Sequence, residues 1–285
     1  MKQPPNNCCA ILAGMNGRFF PGNWRPALDE IAFAELHGFQ SLQFGGRETG
    51  LDNEELGASI STVASRLKEA NVTAVMEIVG RISKAGTTAF GLTPLDLLKA
   101  NLPAIVGLPC HSAHLHLVHT EPMTTEELIE IEVALIPQFE LGVELAAKYG
   151  FRFGFEHNEA NLHSFFNEPS RCQDLLDAVS GLHFVWDFNH TELDSLAAFK
   201  RMIPRMSMLH ISDTPLPETN YHLPLGLGNI DFEDYFGALC DGGFNGAAIL
   251  EIGGLPKSGG YGRDTDEALI DSLQCLESAI VRVAQ

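Results

Sequence analysis

The sequence predicts one (β/α)8 TIM barrel, a single α/β domain over residues 1–285, and three observations carry the prediction. Short apolar runs recur along the chain, each followed by a loop and a segment of helical periodicity, the pattern of a parallel sheet with crossover helices. The 285 residues suit one such barrel, usually about 250 residues long, and no linker, charge block or low-complexity tract divides them. Four of the last five apolar runs end on an ionisable side chain at a matching depth, where barrels of this type gather their chemistry.

The strands are predicted at Cys8 to Gly14, Ser41 to Gly45, Thr73 to Val79, Ser112 to Val118, Phe151 to Asn158, His183 to Asn189, Ser207 to Asp213 and Ala247 to Ile252. Between them Leu28, Ile31 and Leu36 mark one apolar helix face, and Ile60, Val63, Ala64 and Leu67 another. Gly38 and Gly150 follow helices as left-handed stops. Thr124 and Thr125 before Glu127 read as a capping-box start. Pro137 falls within a very long helical segment and predicts a kink or a break.

Charge narrows the function classes. The 37 acidic and 18 basic residues give a formal charge of −19, which repels phosphate backbones and anionic membranes, so neither nucleic acid nor a membrane is an expected partner. The acids are scattered, as on a solvated surface; a homo-oligomer is left open. The six cysteines show no metal-finger spacing and read as reduced, mostly core-filling thiols of a cytoplasmic protein. The apolar run Cys8 to Gly14 is too short to span a membrane and lacks a signal-peptide layout.

The polar strand ends are Phe153-Gly-Phe-Glu156, Phe184-Val-Trp-Asp187, Met208-Leu-His210 and Ile249-Leu-Glu251. A strand buried on both faces should be apolar nearly throughout. Strand alternation points all four inward, with Gly154, Val185, Met208 and Ile249 beneath them and Phe155, Trp186, Leu209 and Leu250 toward the helices. Three clustered carboxylates repel without a cation, and a salt-bridge network would need Arg or Lys at neighbouring strand ends, which these strands lack. Glu156, Asp187, His210 and Glu251 are therefore candidate ligands of one divalent ion. The oxygen-rich set suits Mn²⁺, Mg²⁺ or Co²⁺, and Zn²⁺ is compatible.

The runs Phe155-Glu156-His-Asn, Trp186-Asp187-Phe-Asn-His190, Leu209-His210-Ile-Ser-Asp213, Gly226-Leu-Gly228-Asn-Ile-Asp231-Phe and Leu250-Glu251-Ile resemble, in order and spacing, the xylose isomerase-like superfamily. The branch of sugar isomerases and epimerases is the most similar. The resemblance implies that Glu156, Asp187, His210 and Glu251 bind the metal, that Glu156 and Glu251 are acid and base on opposite faces of a bound sugar, and that His190 binds a substrate oxygen. Two departures stand out: the tail Glu156-His-Asn-Glu159 differs from that of the ketose epimerases, and the loop Thr214 to Asn229, with His222, replaces an Arg found there.

His114, His116 and His119 crowd the fourth strand; His114 and His116 share one parity, and if it is inward His116 sits near the metal. His116 and His222 are candidates for substrate binding, or His116 is a barrel-core histidine. Glu77, Arg81 and Arg47 could hold substrate hydroxyls or pair with one another. The stretch Gly253 to Arg263 lies where many barrels bind phosphate, but the scarcity of basic residues at the predicted mouth favours an unphosphorylated sugar or polyol. The expected chemistry is isomerisation or epimerisation through a metal-stabilised enediolate with glutamate acid and base. The alternatives are a lyase of the inosose or dehydroshikimate dehydratase type, an endonuclease IV-like phosphodiesterase, and a barrel that binds without turnover.

Overall fold

Every predicted apolar run forms a strand of one closed sheet. The computed structural model describes residues 10–16, 25–159, 164–253 and 265–283. The strands are β1 (Ala10–Met15), β2 (Ser41–Gly45), β3 (Thr73–Ile82), β4 (Ser112–His119), β5 (Arg152–Glu156), β6 (His183–Asp187), β7 (Met206–Ile211) and β8 (Asn245–Leu250). They pair in parallel and in chain order, and β8 closes on β1 from Ala10 opposite Asn245 to Met15 opposite Leu250. Cys8 and Cys9 lie outside the described residues.

Four predicted strand ends overran, those of β5, β6, β7 and β8, each by two residues. The chain leaves β6 at Asp187 because its own Oδ1 accepts the Asn189 N–H at 2.7 Å, turning Phe188–His190 into a 3-10 turn. β5 likewise stops at Glu156. β3 and β4 run longer than predicted, paired as far as Ile82 opposite His119.

The helices α1 (Ala27–His37), α2 (Asn53–Leu56), α3 (Ile60–Ala70), α4 (Pro94–Gly107), α5 (Thr125–Tyr149), α6 (Pro169–Ala178), α7 (Leu196–Arg201), α8 (Phe232–Asp241) and α9 (Asp266–Val283) form the outer layer. Gly38 and Gly150 end α1 and α5 with φ of 87° and 81°, a backbone that costs glycine no Cβ clash. The Thr124–Glu127 capping box opens α5, which runs unbroken past Pro137. The carbonyl four residues earlier, whose helical N–H partner proline removes, belongs to Val133, an exposed residue.

Alternation divides the core into two layers. Val75, Val185, Met208, Ala247 and Ile249 form a separate cluster inside the barrel, while Phe155, Trp186, Leu209 and Leu250 belong to the larger layer between sheet and helices. Trp186 is fully buried there, donates from Nε1 to Thr191 Oγ1 at 2.8 Å and stacks on Tyr235. Cys110, Cys172, Cys240 and Cys275 are free thiols; only the first two are buried, and Cys275 is exposed, so the expectation of core-filling cysteines holds for part of the set. Among the described residues no helix is long and apolar enough to cross a membrane.

Candidate functional site

Parallel register brings the four polar strand ends to one level. Glu156 ends β5 opposite Val185, Asp187 ends β6 opposite His210 of β7, and Glu251 follows Leu250, the last residue of β8, which pairs with Ile211. His210 Nδ1 lies 3.0 Å from Glu156 Oε1 and 3.4 Å from Glu251 Oε2. One donor atom from each of Glu156, Asp187 and His210 lies within 4.8 Å of the others. All four side chains are buried, on a floor that includes Val185, Met208 and Ile249.

Burial and mutual charge shift the ionisation of every group in this cluster. Burial alone would lower His210, but the Glu156 and Glu251 carboxylates outweigh it and hold the imidazole well above its ordinary value. Burial opposes ionisation of Glu156 too, and His116 and His210 overcome it, leaving this carboxyl well below the usual range. Glu251 is pushed up to about 8 by burial and by Glu77, Glu156 and Asp187, against the pull of His210. Asp187 is also raised, by burial and Glu156. Its Oδ2 is buried and accepts no hydrogen bond among the described residues. An orphaned carboxylate oxygen, two further carboxylates and an imidazole nitrogen fit a divalent ion.

The other predicted histidines converge on the same place. His190 ends the 3-10 turn after β6; its Nδ1–H donates to the His157 carbonyl at 3.1 Å, and its Nε2 stands 3.3 Å from both Asp187 Oδ2 and Glu159 Oε1. His222 sits in the loop after β7 with φ of 48° and donates through Nδ1 to the Glu251 carbonyl at 3.1 Å. Burial and His190 lower it to about 4. His114 and His116 do point inward. His114 Nε2 lies 3.2 Å from Glu156 Oε2, and His116 Nδ1 lies 3.1 Å from Glu77 Oε1 and 3.4 Å from Glu156 Oε2. Burial would lower His116, yet Glu156 and Glu77 raise it to about 10. His119 ends β4, beyond this cluster.

Beside the cluster opens a cavity of about 690 Å³ whose lining includes His116, His190, His222 and Glu251 as well as Arg25, Arg47 and Arg81. The lining also carries Glu30, Glu55, Glu77 and Glu159, so its charge is mixed. Glu77 pairs with His116, whereas Arg47 pairs with Glu55 at 3.0 Å and Arg25 with Glu30 at 3.0 Å. Of the glycine-rich stretch, residues 254–263 lie outside the described residues.

Sequence reasoning missed three amides. Gln43 of β2 donates to Glu77 Oε2 and Glu251 Oε1 and faces His210 Nε2 at 2.8 Å. Asn16 donates to Glu251 Oε1 at 2.7 Å. Asn158 donates to the Leu117 and Phe165 carbonyls, each at 2.8 Å, so its Oδ1 is the atom that meets His116 Nε2 at 3.0 Å. Gln43 had a signal, a polar residue inside the buried run Ser41-Leu-Gln-Phe. Asn16 had none.

No curated protein matches the sequence. Solved structures do match over nearly the whole chain at low identity. A D-psicose 3-epimerase from Clostridium cellulolyticum H10 with D-tagatose superposes with a TM-score of 0.73 at 15% identity, covering 96% of this chain and 100% of that one. An L-ribulose 3-epimerase gives 0.71 at 16%, covering 96% of each chain. The IOLI protein with a binding zinc atom gives 0.69 at 17%, covering 96% and 98%. The family model described as xylose isomerase-like TIM barrel matches residues 31–279, a span that holds all four converging strand ends, and the chain belongs to that family.

Proposed function

We propose that this protein is a divalent-metal-dependent isomerase or epimerase of a sugar or polyol, with Glu156, Asp187, His210 and Glu251 holding the ion. The observation that carries this reading is the convergence of Glu156 Oε1 from β5 and Glu251 Oε2 from beyond β8 on one nitrogen, His210 Nδ1, at 3.0 and 3.4 Å, beside a cavity that Glu251 lines. The matching of ketose 3-epimerases and of a zinc-bound protein supports it at the level of fold.

A bound divalent ion would polarise a carbonyl and stabilise the negative charge that develops as the neighbouring carbon loses its proton. The chain's own residues do the proton work. Glu156 and Glu251 reach the site from separate strands, β5 and the end of β8. One glutamate takes the proton from carbon, and either it or its partner returns one; on the opposite face this gives epimerisation, on the neighbouring carbon isomerisation. His190, with its Nδ1–H committed to the His157 carbonyl, offers Nε2 to a substrate hydroxyl, and His116 and His222 line the same wall.

The test is a panel of ketoses, aldoses and inososes incubated in D₂O with protein and Mn²⁺ or Co²⁺ and followed by NMR. Deuterium should enter a carbon-bound position of at least one compound, with an epimer or isomer appearing. Loss of a hydroxyl instead of stereochemical change would replace this reading with a lyase, and binding with no exchange would leave a barrel without turnover.

A further inference from the structure

We infer that Gln43 is a positioning residue that decides which atoms of His210 and Glu251 face the cation, an inference that rests on the metal site proposed above. Gln43 lies on β2, separated from β8 by β1 alone, and is buried. Its amide cannot be turned around. Nε2 stands 3.0 Å from Glu77 Oε2 and 3.1 Å from Glu251 Oε1, and an amide oxygen there would face two acceptors. Oε1 is therefore the atom 2.8 Å from His210 Nε2, and since it can only accept, that nitrogen carries the hydrogen.

Two consequences follow for the ion. With Nε2 committed as a donor, neutral His210 presents its lone pair at Nδ1, the nitrogen that faces Glu156 Oε1 and Glu251 Oε2. Glu251 has its Oε1 occupied by two amides, Gln43 and Asn16, which leaves Oε2 turned toward the cluster. One side chain thus fixes the tautomer of one ligand and the presented oxygen of another. Partners of this kind typically change metal affinity by about 10–100-fold when removed. Asn16 acts on Glu251 alone, so its share should be the smaller.

The experiment strips the full-length protein of metal, titrates Co²⁺ against a chromophoric chelator, and records the visible absorption of the Co²⁺-loaded protein. Gln43→Met keeps the volume and removes all three hydrogen bonds. It should weaken Co²⁺ binding by about 10–100-fold and shift the visible bands, with the far-UV circular dichroism of the metal-free protein retained. Gln43→Asn, which draws the amide back by one methylene, should move both readouts the same way and serves if the Met variant does not fold. Asn16→Ala should weaken binding less. Affinity within a factor of about two of the parent and an unchanged spectrum in a folded Gln43 variant would overturn the inference while leaving the metal site standing. Equal losses in Asn16→Ala and Gln43→Met would remove the His210 half of it. A parent protein that binds no Co²⁺ would take down the metal site and this inference together.

Discussion

Asp187 Oδ2 and His190 Nε2 face each other at 3.3 Å across the 3-10 turn that ends β6. The same aspartate is a proposed ion ligand, and the same histidine lines the cavity, so ligand and substrate contact are three residues apart on one turn. His190→Ala should therefore weaken substrate binding more than turnover, raising KM with a smaller change in kcat, while metal content stays near that of the parent. Steady-state kinetics beside metal analysis by mass spectrometry checks this, and loss of the ion would move His190 into the metal's own ligand set.

Replacing the proposed acid and base separately gives the most direct view of the chemistry. Glu156→Gln and Glu251→Gln keep an oxygen for the ion but remove a carboxylate, and each should cut deuterium exchange into substrate by about 10²–10⁴-fold. The fold and a weakened metal affinity should persist. Two variants with full metal and parental exchange would mean that neither glutamate handles the proton.

Filling the site should stabilise the native state, since the clustered carboxylates repel when no cation separates them. With Mn²⁺ or Co²⁺ at about 100 times Kd, the gain is about 2.7 kcal/mol if only the folded protein binds. Calorimetry after EDTA, then with each of Mn²⁺, Co²⁺, Mg²⁺ and Zn²⁺, reads it as a rise in Tm. No shift with any of the four would remove the site.

The pH dependence of stability should differ in the metal-free and metal-loaded protein. Without metal, His116 is held at about 10 and His190 and His210 are raised, because their carboxylate neighbours outweigh burial; in the unfolded chain each titrates near 6.5. From about pH 6.5 upward the folded state keeps protons the unfolded chain has released, so stability falls as pH rises through the folded values. Glu251, held up to about 8, adds to the same slope. His157 and His222, lowered to about 3 and about 4, contribute only below about 6.5. A cation replaces the retained protons, so its affinity should rise with pH over the same window. Urea unfolding of EDTA-treated and Co²⁺-loaded protein at several pH values measures both, and a metal-free protein that gains stability with rising pH would contradict the electrostatics.

Asn101, fully buried in α4, holds the loop after β2 in place. Its Oδ1 accepts from Arg47 N and Leu51 N, each at 2.9 Å, and its Nδ2 donates to the Arg47 and Leu97 carbonyls. Asn101→Ala strands three loop groups at once and should cost about 2–4 kcal/mol. Denaturant melts give the number; a loss within a few tenths would mean that water replaces the amide.

The barrel was legible because its strands obey one rule, an apolar run broken only where a side chain must meet the cavity. That rule singled out Glu156, Asp187, His210 and Glu251, whose buried side chains the structure brings together, and the parity argument sorted Val185 from Trp186 and Met208 from Leu209 into the two core layers found. What sequence could not show was register between distant strands. Gln43 meets His210 only because β2 faces β7 across a closed circle, and Asn16 reaches Glu251 only because β8 closes on β1. Strand ends were misjudged where local side-chain to backbone bonding, as at Asp187, competes with the ladder. Pro137 misled because the helix runs on through it, with the carbonyl that loses its partner on the exposed residue Val133.

The burial of Trp186 gives the protein a built-in optical gauge. The indole is sealed from water, hydrogen-bonded to Thr191 and joined by one peptide bond to Asp187. Its emission should lie at the short-wavelength end of the tryptophan range and respond to any charge arriving beside that aspartate, because the excited indole dipole senses the local field. The sequence has two tryptophans, so replacing Trp24 with phenylalanine would leave a chain whose ultraviolet fluorescence follows occupancy of the barrel mouth without any label attached.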